Sequence, residues 1–172
     1  YHYIDLFYDQ IFVYGLRELF DVATQYDFTP TMAEKTRYCG YIYGGIPKRN
    51  PETVKDHLHC TQKPLVLVTV GGGDDGYPIA KAYLDMVRQY KNQIQFFTYL
   101  VTGPLMNSNL RNELQQLRIS NLVYTAEFER DMIGTMLAAE LVISMGGYNS
   151  ICEILQFAQR AVIIPRIYPR RE

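Results

Sequence analysis

Residues 141–155 read LVISMGGYNSICEIL, and this stretch passes from an apolar run through two glycines into a helical pattern. The run at 141–144 has the length of a short strand, while Ile151, Ile154 and Leu155 recur at helical spacing. Glycines between a strand and a helix allow a sharp turn, because glycine accepts backbone angles that other residues avoid. The stretch therefore predicts a strand, a turn and a helix in direct succession.

The same succession recurs from Pro64 onward at intervals of roughly 20 to 25 residues, a typical spacing of strand-and-helix units. Helical stripes separate further apolar runs, which lie at 65–70, 95–101, 121–124 and 161–164. Continuous apolar runs are typical of parallel strands that are covered on both faces. We therefore expect an α/β fold with a Rossmann-like, doubly wound parallel sheet in residues 64–172.

Residues 1–43 are expected to form a separate unit that is too small for a core of its own. We expect one βαβ piece there, with a strand, a helical stretch and a second strand at 10–14, 16–26 and 37–42. Residues 44–63 begin with two glycines and contain prolines, a composition typical of a connector between domains. The expected boundaries are therefore 1–43, 44–63 and 64–172.

Composition and charge argue against several classes of protein. Seventeen Lys and Arg against 18 Asp and Glu give a net charge of −1, which lacks the positive excess that drives non-specific nucleic-acid binding. No apolar run reaches the roughly 18 to 20 residues of a membrane span. Three cysteines without a C-x-x-C pair favour reduced thiols. We expect a cytoplasmic globular protein without a nucleic-acid partner or a transmembrane span.

The first glycine cluster, GGGDDG at 71–76, follows the predicted strand at 65–70. Glycines let the backbone approach a phosphate, and the N-terminus of the following helix favours an anion. The Walker motif does not fit, because Gly76 is followed by Tyr77, and the acidic residue of the dinucleotide motif is missing. A phosphate loop and a plain strand-to-helix turn both remain open for this cluster.

The second cluster, at 144–153, adds small polar residues to the glycines. Asn149 and Ser150 occupy the first turn of the predicted helix, where side-chain and backbone donors can meet an anion. Glu153 lies about one turn further on, outside the apolar stripe. Its carboxylate can accept two hydrogen bonds from the hydroxyls of a ribose, or it can be a solvated helix glutamate.

Four stretches together carry a family resemblance: VTVGGGDDG at 68–76, YTAEF at 124–128, AAELVISMGGYNSICE at 138–153 and IPR at 164–166. They resemble the C-terminal, donor-binding half of GT-B glycosyltransferases, in particular the family 28 group that adds N-acetylglucosamine to a peptidoglycan precursor. The resemblance covers about residues 62 to 172. It implies that residues 1–43 are the tail of an N-terminal Rossmann-like domain.

The resemblance also implies a set of donor-binding residues on the turns that follow the strands: Gly71, Gly72, Gly73, Asp74, Glu127, Phe128, Ser144, Gly146, Gly147, Asn149, Ser150, Glu153, Arg170 and Arg171. The glycine turns and the helix start would hold the diphosphate, and Glu153 would bind the ribose. Glu127 and Phe128 would lie beside the nucleobase. Arg170 and Arg171 fall where such enzymes read the donor hexose.

The implied function is that of an inverting, metal-independent hexosyltransferase whose substrate is a nucleotide-sugar, a UDP-sugar, with no cofactor. The chain begins without Met, and we expect an inactive fragment, because the acceptor pocket and general base of such enzymes belong to the N-terminal half. Peripheral membrane contact is expected only through parts outside this chain.

The alternatives are a sugar-nucleotide epimerase or hydrolase, or a non-catalytic nucleotide-binding module. A zinc site at His57, His59 and Cys60 is weakly supported.

Overall fold

A computed structural model describes residues 2–165 of the chain. The chain divides into two compact units, one of residues 1–43 and one that begins at Gly44. In the described residues of the first unit only Met32 and Thr36 are buried. This unit therefore has almost no core of its own.

The first unit is a small βαβ arrangement with additional helices. It contains α1 (His2–Phe7), β1 (Ile11–Val13), α2 (Val22–Gln25), α3 (Pro30–Lys35) and β2 (Thr36–Tyr38). The strands β1 and β2 pair in parallel. Both are shorter than predicted, and the sequence analysis did not predict α1 or α3.

The helix predicted over 16–26 is wrong in length, because α2 covers only its last part. Asp21 has extended backbone angles and accepts a hydrogen bond from the Thr24 N–H, which makes it the N-cap. A helix cannot include its N-cap, so α2 begins after Asp21. Thr29 caps α3 in the same way, with Pro30 in its first turn.

The second unit alternates strands and helices throughout. Its elements are α4 (Pro51–His57), β3 (Leu65–Thr69), α5 (Tyr77–Gln89), β4 (Phe97–Val101), α6 (Ser108–Leu117), β5 (Val123–Ala126), α7 (Met132–Ala138), β6 (Leu141–Ser144), α8 (Tyr148–Gln156) and β7 (Ala161–Ile163). The five strands form one parallel sheet in the order β5-β4-β3-β6-β7. The predicted α/β fold with a Rossmann-like parallel sheet is confirmed.

The core lies on both faces of this sheet. Leu65 and Leu67 of β3 belong to one buried cluster, whereas Val66 and Val68 belong to another. Successive residues of a strand point to opposite faces, so the two clusters lie on opposite sides of the sheet. Helices α4, α7 and α8 contribute to the first cluster, and α5 and α6 contribute to the second. The sheet is therefore doubly wound, as predicted.

Two strands begin later than predicted. The N–H groups of Leu122 and Val123 both donate to the Ile119 carbonyl, at 2.9 and 2.8 Å. This turn precedes β5, which runs from Val123 to Ala126 rather than over 121–124, although the Leu122 carbonyl already accepts from the Thr98 N–H of β4 at 2.8 Å. β4 begins at Phe97 rather than at 95, and the Phe97 N–H donates to the Pro64 carbonyl at 2.8 Å.

The segment at 44–63, which we predicted as a connector, contains helix α4. Asn50 caps it by accepting from the Thr53 N–H at 2.8 Å, and Pro51 occupies its first turn. Val54, Leu58 and Cys60 are buried in the core of the second unit. Only these few residues of the segment face the core. The segment is therefore mostly polar, and its sequence did not predict the helix.

No helix in residues 2–165 is both long and apolar enough to cross a membrane. Cys39, Cys60 and Cys152 are free thiols, of which Cys39 alone is exposed.

Candidate functional site

A cleft of about 820 Å³ opens at the carboxyl ends of β3, β4, β5 and β6. Thr69 and Ser144, which are buried and pair in register between β3 and β6, form part of its lining. The chain leaves β3 toward β4 on one side and returns to β6 on the other. In open α/β sheets, ligands bind in the crevice at such a switch point.

Most of the predicted site residues in the described part of the chain line this cleft: Gly71, Gly72, Glu127, Phe128, Ser144, Gly147, Asn149, Ser150 and Glu153. Gly73, Asp74 and Gly146 are not among the residues that line it. Arg170 and Arg171 lie outside the described residues. The structure therefore brings together residues from three separate turns and one helix.

The first glycine cluster forms a tight turn that packs against the turn after β4. Gly73 has a φ of +91°, and its N–H donates to the Val70 carbonyl at 3.2 Å. A Cβ at Gly73 would overlap the Thr102 carbonyl oxygen, and one at Gly103 would overlap the Gly72 carbonyl. Gly73 is therefore required by backbone packing, whereas Gly71 and Gly72 face the cleft.

The two glycines before α8 differ in what surrounds them. Gly146 has a φ of +78°, and a Cβ there would lie 2.9 Å from Cγ2 of Ile163. Gly147 is the N-cap of α8, has a φ of −60°, and would place a Cβ in open space. Gly146 thus makes the turn, and Gly147 leaves the start of α8 open to the cleft.

Helix α8 begins without a side-chain cap. The first N–H groups of a helix have no partner within the helix, and they form the positive end of its dipole. Asn149 and Ser150 lie in this first turn and line the cleft. The arrangement suits an anion with several oxygen acceptors.

Glu153 lies on the same face of α8, four residues after Asn149 and three after Ser150. Its carboxyl group is half-buried, and this burial raises its pKa above the usual value. No described residue forms an ion pair or hydrogen bond with it. The cleft therefore contains a carboxylate that is free to accept hydrogen bonds from a ligand.

Glu127 is held by a residue that the sequence analysis did not single out. Oε2 of Glu127 lies 2.8 Å from Nη1 of Arg111 on α6. The next residue, Phe128, is 63% exposed and lines the cleft. The helical stripe predicted between the apolar runs at 95–101 and 121–124 gives no sign of this ion pair.

Glu129 and Asp131, which line the cleft, belong to an ionic network that the sequence analysis did not predict. Arg49 donates from Nη2 to Oε1 of Glu129 at 2.6 Å, and its Nε lies 3.4 Å from Oδ2 of Asp131. Asp131 also accepts from the backbone N–H groups of Lys48, Arg49 and Gly134. The partners are separated by about 80 positions, beyond the reach of any local pattern.

Both acids of this network are held as carboxylates. Burial opposes the ionisation of Asp131, but the N–H groups of Lys48, Gly134 and Arg49 outweigh it and lower its pKa. Burial likewise opposes the ionisation of Glu129, and the Asp131 N–H and the Arg49 guanidinium outweigh it, so the pKa of Glu129 is also lowered. The network therefore fixes residues 48–49 against the start of α7.

Two cations of the cleft remain without such partners. Lys48 and Arg130 are exposed and line the cleft. In the described part of the chain, neither side chain forms a hydrogen bond or an ion pair. They are therefore available to a negatively charged ligand.

The described residues contain no group of three His, Cys, Asp or Glu side chains that could hold a metal ion. Of the cluster at His57, His59 and Cys60, the cysteine is 2% exposed and packs in the core. This burial raises the pKa of the Cys60 thiol above its usual value. Cys60 therefore acts as a core residue.

Residues 65–171 match the glycosyltransferase family 28 C-terminal domain. The chain belongs to this family. Two curated relatives are N-acetylglucosamine transferases of UDP-N-acetylglucosamine and N-acetylmuramyl-(pentapeptide) pyrophosphoryl-undecaprenol. The one from Acetivibrio thermocellus is 20% identical over 133 residues, covering 74% of this chain and 36% of the relative. The one from Bacillus cereus is 26% identical over 106 residues, covering 62% and 29%.

The family 28 chain spans about a third of the length of these curated relatives. Among solved structures, the glycotransferase of kitacinnamycin aligns with a TM-score of 0.58 at 17% identity, over 92% of this chain and 36% of that one. MurG of Acinetobacter baumannii aligns with a TM-score of 0.51 at 15% identity, over 97% and 55%. The predicted C-terminal half of a GT-B glycosyltransferase is thereby confirmed as the fold.

Proposed function

We propose that the cleft binds the nucleoside diphosphate part of a nucleotide-sugar, and that the whole protein transfers the sugar to an acceptor. One observation carries this proposal: the open N-terminus of α8 and Glu153, whose carboxylate has no partner among the described residues, lie on one helix face within the cleft. A helix end binds a diphosphate, and a nearby carboxylate binds the hydroxyls of a ribose. Membership of glycosyltransferase family 28 supports the same reading.

The lining of the cleft suggests where each part of the donor binds. The diphosphate is placed at Gly147, Asn149 and Ser150, with counter-charge from Lys48 and Arg130. The ribose is placed at Glu153. The nucleobase is placed beside Glu127 and against the exposed ring of Phe128, because an aromatic face stacks on a base. Uridine is proposed as the nucleoside, since the two curated relatives are named for UDP-N-acetylglucosamine.

The proposed reaction is a direct displacement at the anomeric carbon of the donor sugar. A bond forms between the oxygen of an acceptor hydroxyl and that carbon while the bond to the diphosphate breaks, which inverts the configuration, and the hydroxyl proton passes to a general base. Negative charge grows on the departing diphosphate, and the α8 N-terminus and the two cations stabilise it without a metal ion. We place the acceptor site and the general base in the part of the relatives that this chain does not span.

The proposal includes a cytoplasmic location, which the free thiols at Cys39, Cys60 and Cys152 support.

Titration calorimetry with the 172-residue chain tests the binding step. We expect UDP to bind, inorganic pyrophosphate to bind more weakly, and UDP binding to survive addition of EDTA. Absence of heat with UDP, GDP and ADP alike would contradict the proposal.

A second experiment separates glycosyl transfer from the other activities that this scaffold supports. The whole protein is incubated with a UDP-sugar, with and without candidate acceptors, and released UDP is measured. Release that depends on an acceptor identifies a transferase. Release without one identifies a hydrolase, a rearranged sugar identifies an epimerase, and binding without turnover identifies a non-catalytic module.

A further inference from the structure

One arginine joins two of the turns that line the cleft. Arg111 lies on α6, and its side chain is 16% exposed. Its Nη2 lies 3.1 Å from the Gly103 carbonyl oxygen, 3.4 Å from that of Pro104 and 2.9 Å from that of Met106. Its Nη1 lies 2.8 Å from Oε2 of Glu127. The guanidinium therefore ties the turn after β4 to the turn after β5.

The Glu127 end of this link is open to the cleft. The Glu127 side chain is 53% exposed, and the residue lines the cleft. The pair is exposed mainly on its Glu127 side, because the Arg111 side chain is largely buried. Oε2 faces Arg111, whereas no described residue bonds Oε1. The pairing therefore fixes the position of an acceptor atom that a ligand can reach.

The guanidinium suits this link because of its shape. Arginine presents five N–H donors in one rigid plane, so that one edge can face carbonyl oxygens while another faces a carboxylate. A lysine at Arg111 has one nitrogen and cannot serve both groups with the same geometry. Gly103 and Pro104, whose carbonyls Arg111 meets, are themselves lining residues. Arg111 thus contacts two neighbouring stretches of the cleft wall from behind.

We propose that Arg111 is a positioning residue for the nucleobase side of the cleft. It holds the Glu127 carboxylate and the turn at 103–106 in the arrangement that receives the base of a nucleoside diphosphate. Arg111 itself touches no ligand and acts through Glu127. This inference rests on the proposed function, in which the base lies beside Glu127 and the diphosphate lies at α8.

Two ligands test this role: UDP, which carries a nucleobase, and inorganic pyrophosphate, which does not. UDP and inorganic pyrophosphate are titrated into the 172-residue chain and into the variant Arg111→Met. Because the variant disturbs only the base side, we expect its Kd for UDP to rise about tenfold and its Kd for pyrophosphate to change less than about twofold. Arg118→Met, an exposed arginine after the same helix, is the matched control and should change neither Kd.

A double-mutant cycle then tests whether Arg111 acts through Glu127. Glu127→Ala should weaken UDP binding, and Arg111→Met should add little to it, because the two residues act as one unit. Fully additive losses would overturn the inference. Glu127→Ala removes an exposed side chain, so this variant keeps the test valid if Arg111→Met does not fold.

The remaining outcomes are also distinct. Unchanged UDP affinity in a folded Arg111→Met protein, or equal losses for UDP and pyrophosphate, would overturn the positioning role and leave the proposed function standing. Failure of the unaltered chain to bind either ligand would instead overturn the proposed function, and the inference with it.

Discussion

Glu153 is a half-buried carboxylate that the described part of the fold leaves without a counter-charge. Burial raises its pKa, so the folded state holds its proton more tightly than the unfolded state does. Stability from this group therefore falls as the pH rises from the ordinary glutamate value, about 4.3, through the raised folded value. At neutral pH the carboxylate is a cost to folding, which is typical of a residue placed for binding.

We predict that Glu153→Gln separates binding from stability. The variant should raise the Kd for UDP about thirtyfold, or about 2 kcal/mol, because an amide cannot accept charge-assisted hydrogen bonds from both ribose hydroxyls. Its melting temperature at pH 7 should be unchanged or higher, since the burial of a charge is removed. Calorimetry and thermal unfolding measure the two effects, with the exposed Glu52→Gln as control. Unchanged UDP affinity would remove Glu153 from the ribose site.

The glycines before α8 should respond in opposite ways to substitution. Gly147→Val keeps an accessible backbone conformation, so it should fold with a loss of no more than about 1 kcal/mol at the helix cap. Its side chain would enter the cleft and should weaken UDP binding at least about tenfold by steric exclusion. Gly146→Ala should instead lose stability, because of its positive φ and its contact with Ile163. Full UDP affinity in folded Gly147→Val would contradict the placement of the diphosphate.

At the scale of the element, the network of Arg49, Glu129 and Asp131 gives the fold a distinct response to acid. The folded-state pKa of Asp131 is lowered, so its contribution to stability is complete above the ordinary aspartate value, about 3.9. This contribution is lost as the pH falls through the lower folded value. The start of α7 and residues 48–49 should therefore separate first in acid.

We predict that Asp131→Asn makes the stability less dependent on pH. At pH 7 the variant should lose about 1 to 3 kcal/mol, because charge-assisted bonds to three backbone N–H groups are weakened. Between pH 5 and pH 3 its free energy of unfolding should fall less than that of the unaltered chain. Urea unfolding at several pH values measures this, with the exposed Asp56→Asn as control. Parallel pH profiles for the two proteins would disprove the assignment.

Some helices, strands and site residues could be predicted from the sequence. The bounds predicted for β6, 141–144, agree with the structure because a short apolar run between Glu140 and the glycines at 146–147 is a local signal. The placement of Glu127, Gly147 and Glu153 in one cleft follows from the rule that parallel strands end at one edge of a sheet. Both inferences needed only neighbouring residues and the topology.

Other features had no local signal. Arg49 meets Asp131 across 82 positions, and nothing near either residue predicts the other. Helix α4 was missed because its segment is mostly polar and only Val54 is buried within the helix. The turn at Ile119, whose carbonyl accepts from the Leu122 and Val123 N–H groups, lies directly before β5 and has no signal in the apolar run at 121–124. These features depend on tertiary packing, which periodicity does not contain.

At the scale of the whole molecule, the two units differ in the size of their hydrophobic cores. The second unit has two hydrophobic clusters, whereas the first pairs two strands of three residues each. A two-stranded sheet is marginally stable alone in water. The described residues 2–43 also expose many large apolar side chains, among them Phe7, Phe12 and Phe20. The described residues of the first unit therefore provide little stability of their own.

We predict that residues 44–172 fold and bind UDP without the first unit. Every described residue that lines the cleft belongs to this part of the chain. Its Kd for UDP should agree with that of the 172-residue chain within about twofold, and its unfolding should be cooperative. Residues 1–43 alone should give the circular dichroism spectrum of an unfolded peptide. A folded 44–172 protein that no longer binds UDP would show that the first unit is needed for the site.

In the proposed site, a nucleoside diphosphate binds with its phosphates at the N-terminus of α8 and its ribose at Glu153. A crystal structure of the chain with UDP would show both contacts. We expect diphosphate density within hydrogen-bond distance of the Asn149 and Ser150 N–H groups, and ribose hydroxyls on the Glu153 carboxylate. UDP bound away from this cleft, or in it with the ribose remote from Glu153, would overturn the proposed site.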